Sequence, residues 1–386
     1  MAYLDYLATT PVCDEASLVM ISMLSDQRSP KGAWGNPGSS HHQFGQIAKL
    51  RLEEARAEVG AAVGANSPEE ICFESGSTES INHAIRGLFP HPTRGHVVTS
   101  EVEHPAVMET VRGLGVEFTL VPPNPTGVVP PERVAAACIR GKTRLVSIML
   151  VNNEVGSVMD WREIARLVKL VDEDILLHCD ASQAVGKIPV DVQRLGADLL
   201  TIAGHKLYGP KGVGATWIRP EVQLNPLLCG AGHELGRRPG TENVLLCVGL
   251  AEAIKHTDLA MAGELGKLRD LLFKELAARL PPGTVVRNGP ALESERIPHC
   301  LSVSFTGKVL GSDIAARCWL EHRVAFSAGA ACHSGKRAAP SRVLKAMRMD
   351  DALALSTIRL SVGRYTTTSE VLIAAKAIAQ VVLDLQ

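Results

Sequence analysis

Between about residue 45 and residue 260 the chain alternates short apolar runs with longer stretches of helical period, and few architectures tolerate that alternation. The apolar runs at 71–74, 96–100, 116–121, 145–150, 175–179, 199–203 and 214–218 read as strands. The segments 47–63, 79–88, 105–113, 131–138 and 161–171 between them read as helices. The pattern predicts an α/β fold, a mostly parallel sheet covered by helices on both faces. Past residue 260 the rhythm changes. Helical segments at 263–280, 311–322, 341–347 and 369–385 mix with strand-like runs at 300–305 and 357–361, which predicts a smaller α+β unit. At 386 residues the chain is long enough for two cores. The expected division is a large domain over 14–260 and a small one formed by 1–13 with 261–386.

In a parallel sheet ligands gather beyond the carboxyl ends of the strands, so the residues just after each run carry the information. They are Ser75-Gly-Ser-Thr-Glu-Ser80, Glu101-Val-Glu-His104, Asn152-Asn-Glu154, Asp180-Ala-Ser-Gln183 and His205-Lys206. One polar strand end is ordinary capping; one after another along a single rim points to one site. Lys206 has no carboxylate in the seven residues after it. A lysine held near apolar surroundings loses its proton easily and forms Schiff bases with carbonyls; the bland reading is a solvated loop lysine. Ser77 and Thr78 open a helix whose free N–H groups would cup a phosphate, although taken alone these residues read more readily as an N-cap with a capping box, and the two can coexist. Asp180 at a buried strand end needs a cationic partner, such as a protonated pyridine nitrogen, or else serves as an N-cap. Gln183 lies one turn further along and faces the same way.

Composition removes other classes. Net charge is −1, which gives no electrostatic case for nucleic acid, and no apolar run is long enough for a membrane span. No Gly-x-Gly-x-x-Gly or Walker pattern indicates a dinucleotide or ATP. The nine cysteines are scattered without metal-ligand spacing, so no metal site is expected, and the compartment expected is a reducing, cytoplasmic one. Cys332 differs from the others: in Ser327-Ala-Gly-Ala-Ala-Cys-His-Ser-Gly-Lys-Arg337 its basic neighbours favour the thiolate, although an ordinary buried cysteine fits as well.

Asp5–Pro11, Gly35-Asn-Pro37, Ser75–Ser80, Glu103-His-Pro105, Asn152-Asn-Glu154, Asp180-Ala-Ser-Gln183, Gly204-His-Lys206 through Gly212, Arg238-Pro-Gly-Thr-Glu-Asn243, Ile358-Arg359 and Ser361-Val-Gly-Arg364 occur in that order. Together they resemble the cysteine desulfurases of the class V aminotransferase group, enzymes of fold type I that use pyridoxal 5'-phosphate. The resemblance covers essentially the whole chain. Thr201-Ile-Ala-Gly-His-Lys206, Arg238-Pro-Gly-Thr241 and Ala330-Ala-Cys-His-Ser334 look most like selenocysteine lyase.

The resemblance implies a role for each position. Lys206 would carry the cofactor as a Schiff base and take the substrate's α-proton. His104 would stack on the ring, Asp180 would hold its nitrogen, and Asn153 and Gln183 would meet its phenolic side. Ser77, Thr78, His205 and, from the partner of a homodimer, Thr241 would hold the phosphate, close to Ala203. Arg359 with Asn153 would bind the carboxylate of L-cysteine or L-selenocysteine. Cys332 would take the sulfur or selenium, or donate a proton, leaving alanine; an acceptor protein for the released atom would follow. Two positions depart from the family pattern: Ala203 lacks a hydroxyl, and Leu7 is bulky where a small or polar residue is usual, a change expected to reshape the substrate end of the pocket. An aminotransferase, a related lyase or a non-catalytic scaffold keeping the cofactor are the competing readings.

Overall fold

Strands buried along both faces must be shielded by helices, and the chain supplies them in alternation. A computed structural model of the protein describes residues 1–26, 28–89, 94–329 and 339–386. The first part contains β1 (Ala2–Tyr3), α1 (Asp14–Ser25), α2 (Gln43–Ala62), β2 (Ile71–Glu74), α3 (Ser77–Arg86), β3 (His96–Ser100) and α4 (Pro105–Arg112). There follow β4 (Glu117–Val121), α5 (Pro131–Ala137), β5 (Thr143–Met149), α6 (Trp161–Val171), β6 (Leu176–Asp180), α7 (Val192–Leu195), β7 (Leu199–Ala203), β8 (Gly214–Ile218) and α8 (Val244–Lys255). The last part runs through α9 (Met261–Arg279), β9 (Val285–Arg287), β10 (Cys300–Phe305), α10 (Gly311–His322), β11 (Val324–Ala325) and β12 (Ser327–Ala328). It closes with α11 (Arg342–Ala346), α12 (Asp351–Ser356), β13 (Ile358–Ser361) and α13 (Thr368–Leu385).

Seven strands form the main sheet in the order β2-β8-β7-β6-β5-β3-β4. The ladders from β7 through β6, β5 and β3 to β4 are parallel, and β8 runs antiparallel to both of its neighbours. One face packs on α3 and α4, with Ile81, Ile85, Val107 and Val111 against Val97, Leu145 and Leu199. The other face carries the larger core, to which α2, α6 and α8 contribute Leu52, Ile164 and Leu250. A second, four-stranded sheet, β12-β13-β10-β9, is antiparallel throughout, and Val303, Leu360, Leu272 and Ile378 fill its core with α9 and α13. The predicted strands at 71–74, 96–100, 199–203, 214–218 and 300–305 coincide with observed ones.

The N-terminal segment joins the two cores. Ala2 and Leu4 lie in the core of the second sheet, where β1 pairs with β11, whereas Leu7 and Cys13 lie in the core of the first. Between them the backbone bonds both sides: Ser361 N donates to Leu4 O at 2.7 Å, and Thr10 N donates to His205 O at 2.9 Å. The loop that bears Lys206 is therefore fixed by residues near the start of the chain.

Candidate active site

At the carboxyl rim of the main sheet, Ser77, Ile81, His104, Met149, Val151, Asn153, Asp180, Ser182, Gln183 and Lys206 line one cavity. Each expected residue arrives on its own element: Ser77 begins α3, His104 precedes α4, Asn153 follows β5, Asp180 ends β6 and Lys206 follows β7. Met149, Val151 and Ile81 were not singled out in the sequence, because apolar lining has the same pattern as core.

Lys206 Nζ has no hydrogen-bond or ion-pair partner among the described residues. Burial lowers its pKa, opposed by Asp180 and assisted by Arg359. Lys211 is exposed and is not part of the cavity. Asp180 is buried, and its Oδ1 accepts from Ser182 N at 3.0 Å. The buried Ser182 hydroxyl has no partner among the described residues. His104 is the N-cap of α4, with Nδ1 accepting from Ala106 N at 3.1 Å, and burial together with Lys206 keeps its pKa low and its ring neutral. A neutral, fixed imidazole suits stacking on an aromatic ring.

The start of α3 carries no side-chain cap. Its N-cap is Gly76, with no side-chain capping bond, so the capping box read as an alternative over Ser77–Ser80 does not form. Gly76 has φ 154°, a conformation available essentially to glycine alone, and the N–H groups of the first turn are left open at the positive end of the helix. Glu79 in that turn would repel an anion, but Arg238 Nε donates to it at 3.0 Å and holds its pKa down at about 2 against the effect of burial. Ser80 ties the turn to the sheet: its hydroxyl lies 2.7 Å from Thr201 Oγ1 and accepts from Thr216 Oγ1 at 2.8 Å.

His205 Nδ1 lies 3.1 Å from Thr9 Oγ1, and burial with the nearby Lys206 pushes its pKa down to about 4. Ala203, fully buried at the end of β7, and Thr78, exposed on α3, flank the cavity in sequence without lining it. Leu7 also does not line it. The side chain is buried in the main core, and it is the backbone that faces the site, Gln183 Nε2 donating to Leu7 O at 2.9 Å. The bulky side chain is therefore not among the residues that line this cavity.

Arg359 lines an adjoining cleft that shares His104 and Asn153 with the cavity. Its Nη1 donates to the backbone carbonyl of Asn153 at 2.7 Å, and Nη2 to Asp5 Oδ1 and Ser327 Oγ, both at 2.9 Å. Its buried Nε has no partner among the described residues. Asp5 as an anchor was not legible in sequence. Thr241 lies apart from the cavity, in a surface groove with Trp34, Gly35 and Asn36. Cys332 lies outside the described residues.

The donor set fits pyridoxal 5'-phosphate: a half-buried lysine with no ion-pair partner among the described residues, a carboxylate for the ring nitrogen, an amide for its phenolic side, a flat neutral imidazole and an uncapped helix start for the phosphate. Fold and site together define a pyridoxal-phosphate enzyme of fold type I. The class V aminotransferase family model matches residues 2–373, and the chain belongs to that family. It is 42% identical over 376 residues to the cysteine desulfurase IscS of Dictyoglomus turgidum, an alignment covering 95% of this chain and 91% of the relative. Among solved structures it is similar to a NifS-like protein, with a TM-score of 0.89 and 34% identity over 100% of both chains. It is also similar to SspA in complex with cysteine, with a TM-score of 0.80 and 31% identity over 95% of this chain and 100% of that one.

Proposed function

We propose that the protein removes sulfur or selenium from L-cysteine or L-selenocysteine, releasing L-alanine. The observation that carries this reading is the single cavity in which the unpaired Lys206 faces Asp180, His104 and Gln183 beside the open start of α3. When bound there, pyridoxal phosphate supplies the electron sink that acidifies an amino acid's α-proton. The protein's own residues do the rest. Ser77, Thr78 and His205 hold the phosphate; Asp180 keeps the ring nitrogen protonated, and His104 packs on the ring face. Arg359 binds the substrate carboxylate through its free Nε edge. Lys206, which burial disposes to be neutral, accepts the α-proton. Cys332 attacks the substrate's sulfur, forming an S–S bond as the Cβ–S bond breaks, and the three-carbon fragment leaves as alanine once protonated.

A homodimer belongs to this proposal. Leu18, Ile21, Leu24 and Trp34 are exposed near the groove that holds Thr241, and a second copy covering them would bring Thr241 to its phosphate. Two units, 14–260 and 1–13 with 261–386, a reducing cytoplasmic setting and a protein acceptor for the released atom complete it. The described cysteines are all free, and among the described residues no helix is long and apolar enough to cross a membrane.

The test is reconstitution with pyridoxal phosphate. A visible absorption band that disappears in Lys206→Ala, and alanine released from L-cysteine and lost in Cys332→Ala, are expected. Keto-acid products in place of alanine would move the protein to the aminotransferases. Parallel kcat/KM values for cysteine and selenocysteine decide which atom is preferred.

A further inference from the structure

Lys187 is a buried amine that the mechanism above does not use. It lines a second cavity with Tyr6, Thr10, Tyr208, His299 and Arg364, which shares no lining residue with the site. No carboxylate pairs with it among the described residues, and its one hydrogen bond there runs from Nζ to Gln183 Oε1 at 3.0 Å. An unpaired lysine amine in the interior is costly, so its position calls for a reason. Burial, reinforced by repulsion from Lys206, pushes its pKa down to about 7.

The reason lies in the two ends of the Gln183 amide. Leu7 O can only accept, so the nitrogen of the amide must face it, and the observed distance is 2.9 Å. The amide oxygen then faces Lys187, which donates to it. With the oxygen engaged and one N–H taken by Leu7, the second N–H of Gln183 remains for an occupant of the cavity that Gln183 lines. We propose that Lys187 is a positioning residue, which holds the Gln183 amide with its oxygen turned away from the site so that Nε2–H donates to the phenolic oxygen of the cofactor. Without Lys187 the amide would leave its oxygen unsatisfied in the interior, or turn it toward a ring oxygen that it would repel.

This inference rests on the cofactor reading above, and the experiment separates the two. Apoprotein of wild type, Lys187→Met, Gln183→Met and the double variant is titrated with pyridoxal phosphate, recording affinity and the ratio of visible to near-ultraviolet bands. Loss of a buried hydrogen bond of this kind predicts about a tenfold weaker affinity and an altered band ratio in K187M. The double variant should be no worse than Q183M, since Lys187 acts only through Gln183. If K187M fails to fold, Lys187→Gln, which keeps a shorter donor, should show the same spectral change at smaller amplitude. Wild-type affinity and band ratio in the Lys187 variant, even with a lowered Tm, would overturn the inference, as would additive losses in the double variant. A wild type that binds no pyridoxal phosphate overturns the functional reading and this inference with it.

Discussion

At the scale of single residues, the site is a set of groups denied their usual partners. Among the described residues Lys206 has no ion-pair partner, the first turn of α3 has no side-chain cap and Arg359 Nε has no hydrogen-bond partner. Arg359 shows how such a group is held ready: Asp5, Ser327 and the Asn153 carbonyl take its other nitrogens and fix the plane of the guanidinium. A lysine amine, as a point charge, cannot span those partners and still offer a planar edge. Arg359→Lys should therefore raise KM for L-cysteine by roughly 10- to 100-fold and change kcat less, as loss of uniform substrate binding does. Steady-state kinetics checks this, and an unchanged KM would remove Arg359 from substrate binding. Lys206, Asp180 and His104 were legible in the sequence because each follows a recognisable strand. The Asp5 anchor and the Leu7 carbonyl were not, because each acts on a residue far along the chain, and Leu7 acts through an atom common to every residue type.

At the scale of elements, the central strands were legible because continuous burial leaves continuous apolar runs, as in β3 and β7. The helices α1 and α8 were not marked out, each for its own reason. Buried residues occupy most of α8, so its periodicity vanishes, while α1 exposes Leu18, Ile21 and Leu24 where polar residues would mark a solvent face. The junction of β3 and α4 shows a further effect hidden from pattern. Glu103 is buried there, accepting from Ser100 Oγ at 2.5 Å and from Met149 N on β5 at 3.0 Å through Oε2. Burial nonetheless pushes its pKa up from an ordinary 4.5 to about 8. The folded protein thus keeps this proton at pH values where the unfolded chain has released it. The resulting stability is fully present below about pH 4.5 and is lost as the pH rises through about 8. Glu103→Gln removes the titration and keeps a side-chain oxygen to accept from Ser100 Oγ. Denaturant unfolding at pH 5 and pH 8 should show wild type losing stability relative to E103Q by an amount on the order of a few kcal/mol. A constant difference across that range would mean the carboxyl is ionised when folded.

At the scale of the whole molecule, the N-terminal segment links the second sheet to the Lys206 loop, a connection across the sequence that no local pattern announces. The same logic extends to a second copy. Thr241 belongs to the Arg238-Pro-Gly-Thr motif, whose Arg238 reaches Glu79 at the phosphate turn of its own chain, yet Thr241 itself lies in the surface groove beside Trp34. If Thr241 completes the partner's site, two inactive variants should repair each other. Lys206→Ala removes the lysine, and Thr241→Glu sets a carboxylate against the phosphate. In a mixed dimer, the site with an intact Lys206 would receive Thr241 from the K206A chain and be wild type, while the other site would carry both defects. Random reassortment of equal amounts makes half of the dimers mixed, each with one good site of two. Activity should therefore recover to about one quarter of wild type, because a closed two-fold dimer shares its sites in this reciprocal way. The measurement is alanine release after the two proteins are denatured together and refolded, compared with each refolded alone. Recovery near that fraction supports the shared site; none, with dimers present by light scattering, would place Thr241 outside the partner's site.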